Sequence, residues 1–106
     1  MREVEALLPR ARREAPNAAD HMERSCESIM FNLAEGLGCY QPKVKLNAYN
    51  IVRKEAYELR AVFQRLSIRK VFTEADLKRA SSLVHYIITT LTRAMITVEK
   101  RIKDKP

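Results

Sequence analysis

Arginine, lysine and tyrosine side chains recur at helical spacing in the second half of the chain. With one glutamine, the residues that share this pattern are Arg53, Tyr57, Arg60, Gln64, Arg79, Tyr86, Arg93 and Lys100. Guanidinium groups bind phosphates, and tyrosine rings stack on unpaired bases. These residue types predict a surface that binds RNA or DNA with little sequence preference, and the alternative is an ordinary solvated helix face.

Residue types for catalysis or metal binding show no comparable pattern. The sequence contains no glycine-rich phosphate loop and no HExxH, and its serines lack a nearby His–Asp pair. Glu35, Glu55 and Glu58 act as paired carboxylates only if the fold brings them into one cleft. We therefore expect no enzyme activity, catalytic residue, metal or cofactor, although small helical mutases use Arg, Lys and Glu without a motif.

The cysteines and the apolar segments bear on the compartment. Cys26 and Cys39 have neither CxxC spacing nor a His–Cys cluster, which predicts two free thiols in a reducing cytoplasm. The charged N-terminus lacks an apolar signal core. No run of residues approaches the ~20 apolar positions of a membrane span. We expect a cytoplasmic protein without a membrane partner.

Helices must position the basic and aromatic side chains. The chain has 106 residues, 46% of them hydrophobic, which suits one globular domain over residues 1–106. Only two glycines and four prolines are present, too few for a turn-rich β fold. Breaks at Pro16, in GLGCYQP and around RKVFT predict four helices. The first is short, from Arg2 to about Arg13.

The ends of the later helices carry capping signals. Asn17 is the expected N-cap of the second helix, which runs to Glu35, with Gly36 or Gly38 as a C-cap at positive φ. The third helix runs from about residue 43 to 69. Thr73 opens the fourth, and Asp76 three residues later makes a variant of the capping box.

Apolar residues of the two long helices step by three and four. On the third helix these are Tyr49, Val52, Ala56, Leu59, Phe63 and Leu66, and on the fourth Leu77, Ala80, Val84, Ile87, Leu91, Ala94 and Val98. Such stripes predict an all-α, antiparallel up-and-down four-helix bundle with a short first helix.

The apolar stripe is also wider than one core face requires. The surplus residues are Ile88, Met95 and Ile102 on the fourth helix and Ile51 and Val62 on the third. A wide stripe predicts either self-association or a single thick core.

Basic residues are concentrated on the two long helices. Residues 1–40 contain five basic and seven acidic side chains, residues 41–72 eight and two, and residues 73–106 seven and four. Residues 41–106, which contain the Arg–Tyr pattern, therefore carry a net charge of +9 against −2 for residues 1–40, and this favours an anionic partner.

Glu35 lies near the C-terminal end of an apolar helix, where the helix dipole disfavours a carboxylate by about 0.3–1 kcal/mol. We expect Arg53 of the next helix to reach back and offset it, and Asn32 to donate to carbonyls at the helix end or in the following loop. The alternative is two solvated polar residues. The first hypothesis predicts that Glu35→Ala clearly lowers stability.

The segment RSCESIMFNLAEG resembles the signature of bacterial four-helix-bundle proteins encoded within intervening sequences of 23S ribosomal RNA. The matching residues are Arg24, Ser28, Ile29, Asn32, Ala34, Glu35 and Gly36. The next element keeps Arg53 and Glu58 but has Lys54 and Glu55 where the family has Gly–Ser. The resemblance covers about residues 20–102.

The resemblance implies an up-and-down bundle that assembles into a ring, commonly a pentamer. It also implies kinship with accessory proteins of diversity-generating retroelements, which are basic rings that bind nucleic acid and a reverse transcriptase. It supplies no catalytic residues, and the residues it implies to be structural are Arg24, Asn32, Glu35, Gly36 and Arg53. Two functions follow: a non-enzymatic homo-oligomer that binds nucleic acid, or a protein-interaction scaffold such as a reverse-transcriptase accessory protein.

Overall fold

Helices make up nearly all of the computed structural model, which describes residues 2–104. They are α1 (Arg2–Glu5), α2 (Leu8–Glu14), α3 (Pro16–Gly38), α4 (Pro42–Ile68) and α5 (Glu74–Lys103). The long helix α4 packs against α3 and α5, α2 packs against α3, and α1 contacts α5 and α3. The prediction of an all-α four-helix bundle is confirmed, with α1 and α2 together in the place of the first helix.

The first helix is broken where we expected it to be continuous. Pro9 has no N–H to donate to the Glu5 carbonyl, and its ring clashes with that carbonyl, so α1 ends at Glu5. The Leu7 N–H instead donates to the Val4 carbonyl at 3.0 Å, which closes a tight turn. Val4 and Leu7 are both buried, so the turn is anchored in the core.

Both predicted caps of α3 are wrong. The helix begins at Pro16, whose missing N–H has no helical partner at the first position, and Ala15 rather than Asn17 is its N-cap. At the other end neither Gly36 nor Gly38 has positive φ. The helix continues through Gly38 and stops at Cys39, which is extended with φ −108°.

The core of α4 and α5 largely follows the predicted stripes. All six α4 positions are buried, and the Thr73–Asp76 capping box is present, with the Asp76 N–H donating to Thr73 Oγ1 at 3.1 Å and the Thr73 N–H to Asp76 Oδ2 at 3.0 Å. On α5, Ile88 and Met95 are buried, whereas Ile87 and Ala94 are half-buried.

The wide stripe of α5 is used inside the chain. Helix α5 is covered by α4 and also contacted by α1, so its apolar surface extends beyond a single helix–helix contact. Ile88 and Met95 therefore belong to a single thick core, and the prediction that they are a surplus for self-association is wrong. Val62 and Ile102 are half-buried against this core, and Ile51 is half-buried.

Candidate nucleic-acid interface

An Arg–Tyr–Arg stack lies on the outer surface of α4. The guanidinium carbon of Arg60 is 4.6 Å from the centroid of the Tyr57 ring, and that of Arg53 is 5.7 Å from it. Helical spacing of three and four residues brings the three side chains together. Cation–π contacts of about 0.5–1 kcal/mol at exposed sites hold both guanidinium groups near the ring. The stack presents fixed cations beside an aromatic ring that is 39% exposed.

A groove of about 880 Å³ separates the outer surfaces of α4 and α5. Arg60 and Gln64 of the predicted surface lie in its α4 wall. Its other polar residues are Ser67, Glu74, Lys78, Ser81 and Ser82, and its apolar ones include Phe63, Ile68 and Leu77. Lys78 was not among the predicted binding residues, because it falls outside the seven-residue repeat of α5.

The predicted residues of α5 form a separate strip. Arg79, Tyr86, Arg93 and Lys100 are all exposed, and none of them lines the groove. At about 1.5 Å per residue, they extend over about 30 Å of the helix. The strip thus lengthens the basic surface beyond the groove.

Carboxylates pair with two arginines of α2 and with His21. Within residues 2–104 the ion pairs are Arg10–Glu14 (4.0 Å), Arg10–Asp76 (3.3 Å), Arg12–Asp20 (3.2 Å), Arg12–Glu23 and His21–Glu58 (3.8 Å). The pKa of Arg12 is raised by its two carboxylate partners, Glu23 and Asp20, chiefly through the hydrogen bond to Glu23. No predicted phosphate-binding cation of α4 or α5 takes part in any of these pairs.

The predicted contact between Glu35 and Arg53 is wrong. Glu35 is exposed, and in the described part of the chain it forms no ion pair. Arg53 is seven residues, or about two turns, before Arg60, so the two lie on the same side of α4, although Arg53 does not line the groove. Asn32 also behaves differently, since its amide donates to the Ser28 carbonyl (2.9 Å) and hydroxyl (3.3 Å) of its own helix.

Other residues close the junction between α3 and α4. Lys45 Nζ donates to the Gly36 carbonyl and lies 3.4 Å from the Tyr49 hydroxyl. A Cβ atom on Gly36 would be 2.6 Å from Tyr49 Cε1 and 2.8 Å from Cδ1. Gly36 is therefore needed for the close approach of two helices and not for a left-handed turn. Arg24, the remaining signature residue, is exposed.

Five apolar residues in the second half of α3, the following loop and the start of α4 are exposed to solvent, and we refer to them as the apolar patch. They are Met30, Phe31, Leu37, Tyr40 and Val44, and the Phe31 and Tyr40 side chains are 74% and 99% exposed. The patch was not predicted. Its signal was present in Met30 and Phe31, which lie off the core stripe of their helix.

Cysteines, histidines and carboxylates are the remaining candidate groups for chemistry. Burial raises the pKa of the Cys26 thiol to about 11, so this thiol is protonated at neutral pH, and Cys39 is also free. In the part of the chain that the structure describes, no three His, Cys, Asp or Glu side chains are placed to hold a metal. Glu58 contacts His21, whereas Glu35 is exposed at the end of α3.

Comparisons with known proteins give one match. The model of the family described as 23S rRNA-intervening sequence protein matches residues 3–93, from α1 through most of α5. No curated protein and no solved structure matches the chain. Among residues 2–104, no helix has the length and apolar character to cross a membrane.

Proposed function

The chain belongs to the 23S rRNA-intervening sequence protein family, and from that premise we propose that it is a non-enzymatic, basic helical-bundle protein that binds nucleic acid with little sequence specificity and self-associates. The observation that carries the binding proposal is the set of α4 and α5 cations without carboxylate partners in the described residues. These cations are free to neutralise phosphates.

Electrostatics explains why such a surface binds without selecting a sequence. Cations that neutralise phosphates release condensed counterions, and this contribution is the same for every sequence. Arg53 and Arg60 add bidentate donors held beside Tyr57, which offers a stacking surface for any base. The groove and the α5 strip thus supply contacts to the phosphate backbone of the nucleic acid, and Tyr57 supplies a stacking surface. Neither kind of contact depends on the base sequence.

Binding is tested by fluorescence anisotropy of a labelled single-stranded RNA at about 50 and 200 mM salt, a range over which several phosphate contacts produce a steep loss of affinity. We expect the double variant Arg53→Gln/Arg60→Gln to lower the magnitude of the salt slope by about two, since each lost phosphate contact removes about one. Its affinity should fall for every sequence tried.

The matched control removes the same charge elsewhere. Arg2 and Arg13 are exposed on α1 and α2 and, within residues 2–104, form no ion pair. Arg2→Gln/Arg13→Gln should leave the salt slope nearly unchanged. Undetectable binding by the unaltered protein at low salt, or equal losses in both double variants, would overturn the assignment of the site.

We also propose the order of the helices in the bundle and the cellular compartment of the protein. We place the helices in an antiparallel up-and-down order, because three residues link α3 to α4, five link α4 to α5, and each linked pair packs together. Two free thiols support a reducing cytoplasm as the compartment.

Self-association is supported by the apolar patch at the α3–α4 end. The exposed aromatic and aliphatic side chains of this segment are of the kind that marks subunit interfaces. We expect a second copy of the chain to cover Phe31 and Leu37, in an assembly for which the family resemblance implies a pentamer. Light scattering should then give a mass several times the 12.3 kDa of one chain.

A pair of variants locates the interface. Phe31→Ser/Leu37→Ser should reduce the mass towards that of a single chain, whereas Ile96→Ser, which changes an exposed isoleucine of α5 outside the patch, should not. A single-chain mass for the unaltered protein at micromolar concentration would contradict self-association.

The same patch favours the second candidate function, a protein-interaction scaffold such as a retroelement reverse-transcriptase accessory protein. A scaffold would bind a different protein through Phe31 and Leu37, so the patch variants would abolish a mixed complex and not a homo-oligomer. Gene neighbourhood separates the two functions. A reverse-transcriptase gene with a template repeat beside the coding sequence supports the scaffold, and a position inside a ribosomal RNA gene supports the intervening-sequence role.

A further inference from the structure

We propose that the α4–α5 groove is a pocket for one unpaired nucleotide of a single-stranded RNA or DNA. This inference rests on the proposed nucleic-acid binding and adds the form of the ligand. A groove of about 880 Å³ lies within the range of about 300–1,000 Å³ that ligand pockets occupy. Its lining combines an apolar floor, two cations and several hydroxyls, which are the partners of a base, a phosphate and a sugar.

The apolar part of the groove fits the face of a base. Phe63 and Leu77 line the floor of the groove but are only 2% and 4% exposed, so the apolar surface open to a base is mainly that of Ile68, which is 80% exposed. Contacts between bases and aromatic or apolar side chains are sequence-tolerant because every base has a flat π-face. A base in this position would cover Ile68, which the rest of the chain leaves in water.

The charged part of the groove fits a phosphate. Arg60 projects from α4 and Lys78 from α5, so their cations border the groove from both walls. Arg60 is already held against the Tyr57 ring at 4.6 Å, which reduces the entropy lost when it binds an anion. Ser81 and Ser82 add hydroxyls that donate to phosphate or sugar oxygens.

One carboxylate and one amide orient the nucleotide. Ile68 and Glu74 flank the α4–α5 loop, whereas Arg60 is eight residues, about 12 Å of helix, away from Ile68. Glu74 repels a phosphate but accepts hydrogen bonds from exocyclic amino groups of bases. The base therefore lies at the loop end and the phosphate at the Arg60 end, with the Gln64 amide between them.

The shape of the groove excludes a base that is paired in a duplex. In a duplex the faces of the bases are stacked on one another, and only the base edges are exposed in the grooves of the nucleic acid. The apolar floor between α4 and α5 would therefore have no base face to contact. An unpaired base presents its face and its pairing edge together. A single strand should consequently bind more tightly than the duplex formed from that strand and its complement.

The experiment compares a labelled mixed-sequence single strand with the same strand annealed to its complement. Ser81→Trp fills the groove with an indole, and Asn47→Trp places one on an exposed position of α4 outside it. We expect Ser81→Trp to weaken single-strand binding about tenfold or more, because base stacking contributes on that scale. Duplex binding by Ser81→Trp, and both affinities of Asn47→Trp, should stay unchanged.

A second variant pair applies if Ser81→Trp does not fold. Lys78→Gln removes a groove cation, and Lys54→Gln removes an exposed α4 cation outside the groove. Lys78→Gln should lower single-strand affinity more than duplex affinity, and Lys54→Gln should lower both equally and slightly. Circular dichroism melts establish which variants are folded.

The outcomes separate this inference from the proposed function. If the unaltered protein binds neither strand form, both fail. If it binds single strands and duplexes equally, or if the groove variants lose no more single-strand affinity than their controls, the nucleotide pocket is overturned while non-specific binding stands.

Discussion

The α3–α4 junction and the outer face of α4 and α5 both contain basic and aromatic side chains, but they differ in how those side chains are partnered. At the junction, Lys45 donates to the Gly36 carbonyl and reaches the hydroxyl of the buried Tyr49. On the outer face, Arg53 and Arg60 contact the Tyr57 ring and, in the described residues, no carboxylate.

The difference indicates which charges serve the fold and which remain for a ligand. A lysine that binds the free carbonyls at a helix C-terminus also complements the negative end of the helix dipole, so Lys45 stabilises the junction. Among residues 2–104, the guanidinium groups of Arg53 and Arg60 form no hydrogen bond; the Nε of Arg53 is buried, and the other N–H groups remain for a ligand. Substitutions at the junction should therefore change stability, and substitutions on the outer face should change binding.

The largest effect is expected at Gly36. In Gly36→Ala the new methyl group would collide with the Tyr49 ring, because its Cβ would lie 2.6 Å from Cε1. Overpacking of this kind typically costs about 1–3 kcal/mol, which exceeds the roughly 1 kcal/mol that alanine gains in a helix. We expect a clear fall in the thermal melting temperature.

Gly38→Ala is the matched control for that substitution. A Cβ at Gly38 meets nothing within 4 Å, and its φ is not positive. This variant should keep or raise the melting temperature, by up to about 1 kcal/mol of stability. If both alanines have the same effect, the close approach at Gly36 is not important for stability.

A smaller effect on stability is expected when Asp76, in the N-terminal cap of α5, is substituted. In this cap too, polar groups have partners within the chain. Hydrogen bonds from the Thr73 backbone and side chain, and then the nearby Arg10, lower the pKa of Asp76 from its ordinary value of 3.8. A carboxyl group with a lowered folded-state pKa contributes stability above its unfolded pKa and loses it as the pH falls through the folded value. The advantage of the unaltered protein over Asp76→Asn should therefore be present at neutral pH and shrink below about pH 4.

Melting temperatures of both proteins across this pH range measure the effect. Asparagine can still accept a hydrogen bond from the Thr73 N–H, so the comparison isolates the charge. A difference that stays constant down to the most acid pH would show that the ionised carboxylate is not the stabilising species.

Local signals in the sequence predicted the helices and most of the core. The α4 stripe from Tyr49 to Leu66 and the Thr73–Asp76 box depend on periodicity and on contacts three residues apart, which a sequence displays directly. The break after Glu5 also has a local cause, Pro9, but the apolar residues on both sides of this proline favour one continuous helix.

The parts that could not be predicted depend on how helices are rotated against each other. Gly36 faces Tyr49 only because of the azimuth at which α3 meets α4, and no spacing within either helix encodes that angle. The same rotation leaves Arg53 without an ion pair to Glu35, and its guanidinium group lies beside the Tyr57 ring. The basic surface could be proposed from residue types alone. Lys78 could not, because it belongs to this surface only through the packing of α4 beside α5.

The smallest effect is expected at Glu35, because this residue lies beside the α3–α4 junction yet takes no part in its contacts. Its carboxylate is exposed and has no ion-pair partner among residues 2–104. It also lies in the last turn of α3, where the helix dipole disfavours a negative charge.

The structure thus reverses the expectation from the sequence that Glu35→Ala would clearly lower stability. Removing the carboxylate should change the free energy of unfolding by no more than about 0.5 kcal/mol, with a slight gain as the expected sign. Thermal melts of Glu35→Ala and of Glu27→Ala, an exposed residue two turns earlier, should be nearly superimposable. A large loss for Glu35→Ala alone would mean that its carboxylate has a partner after all, and the most informative next measurement would be the same melt in Lys45→Gln.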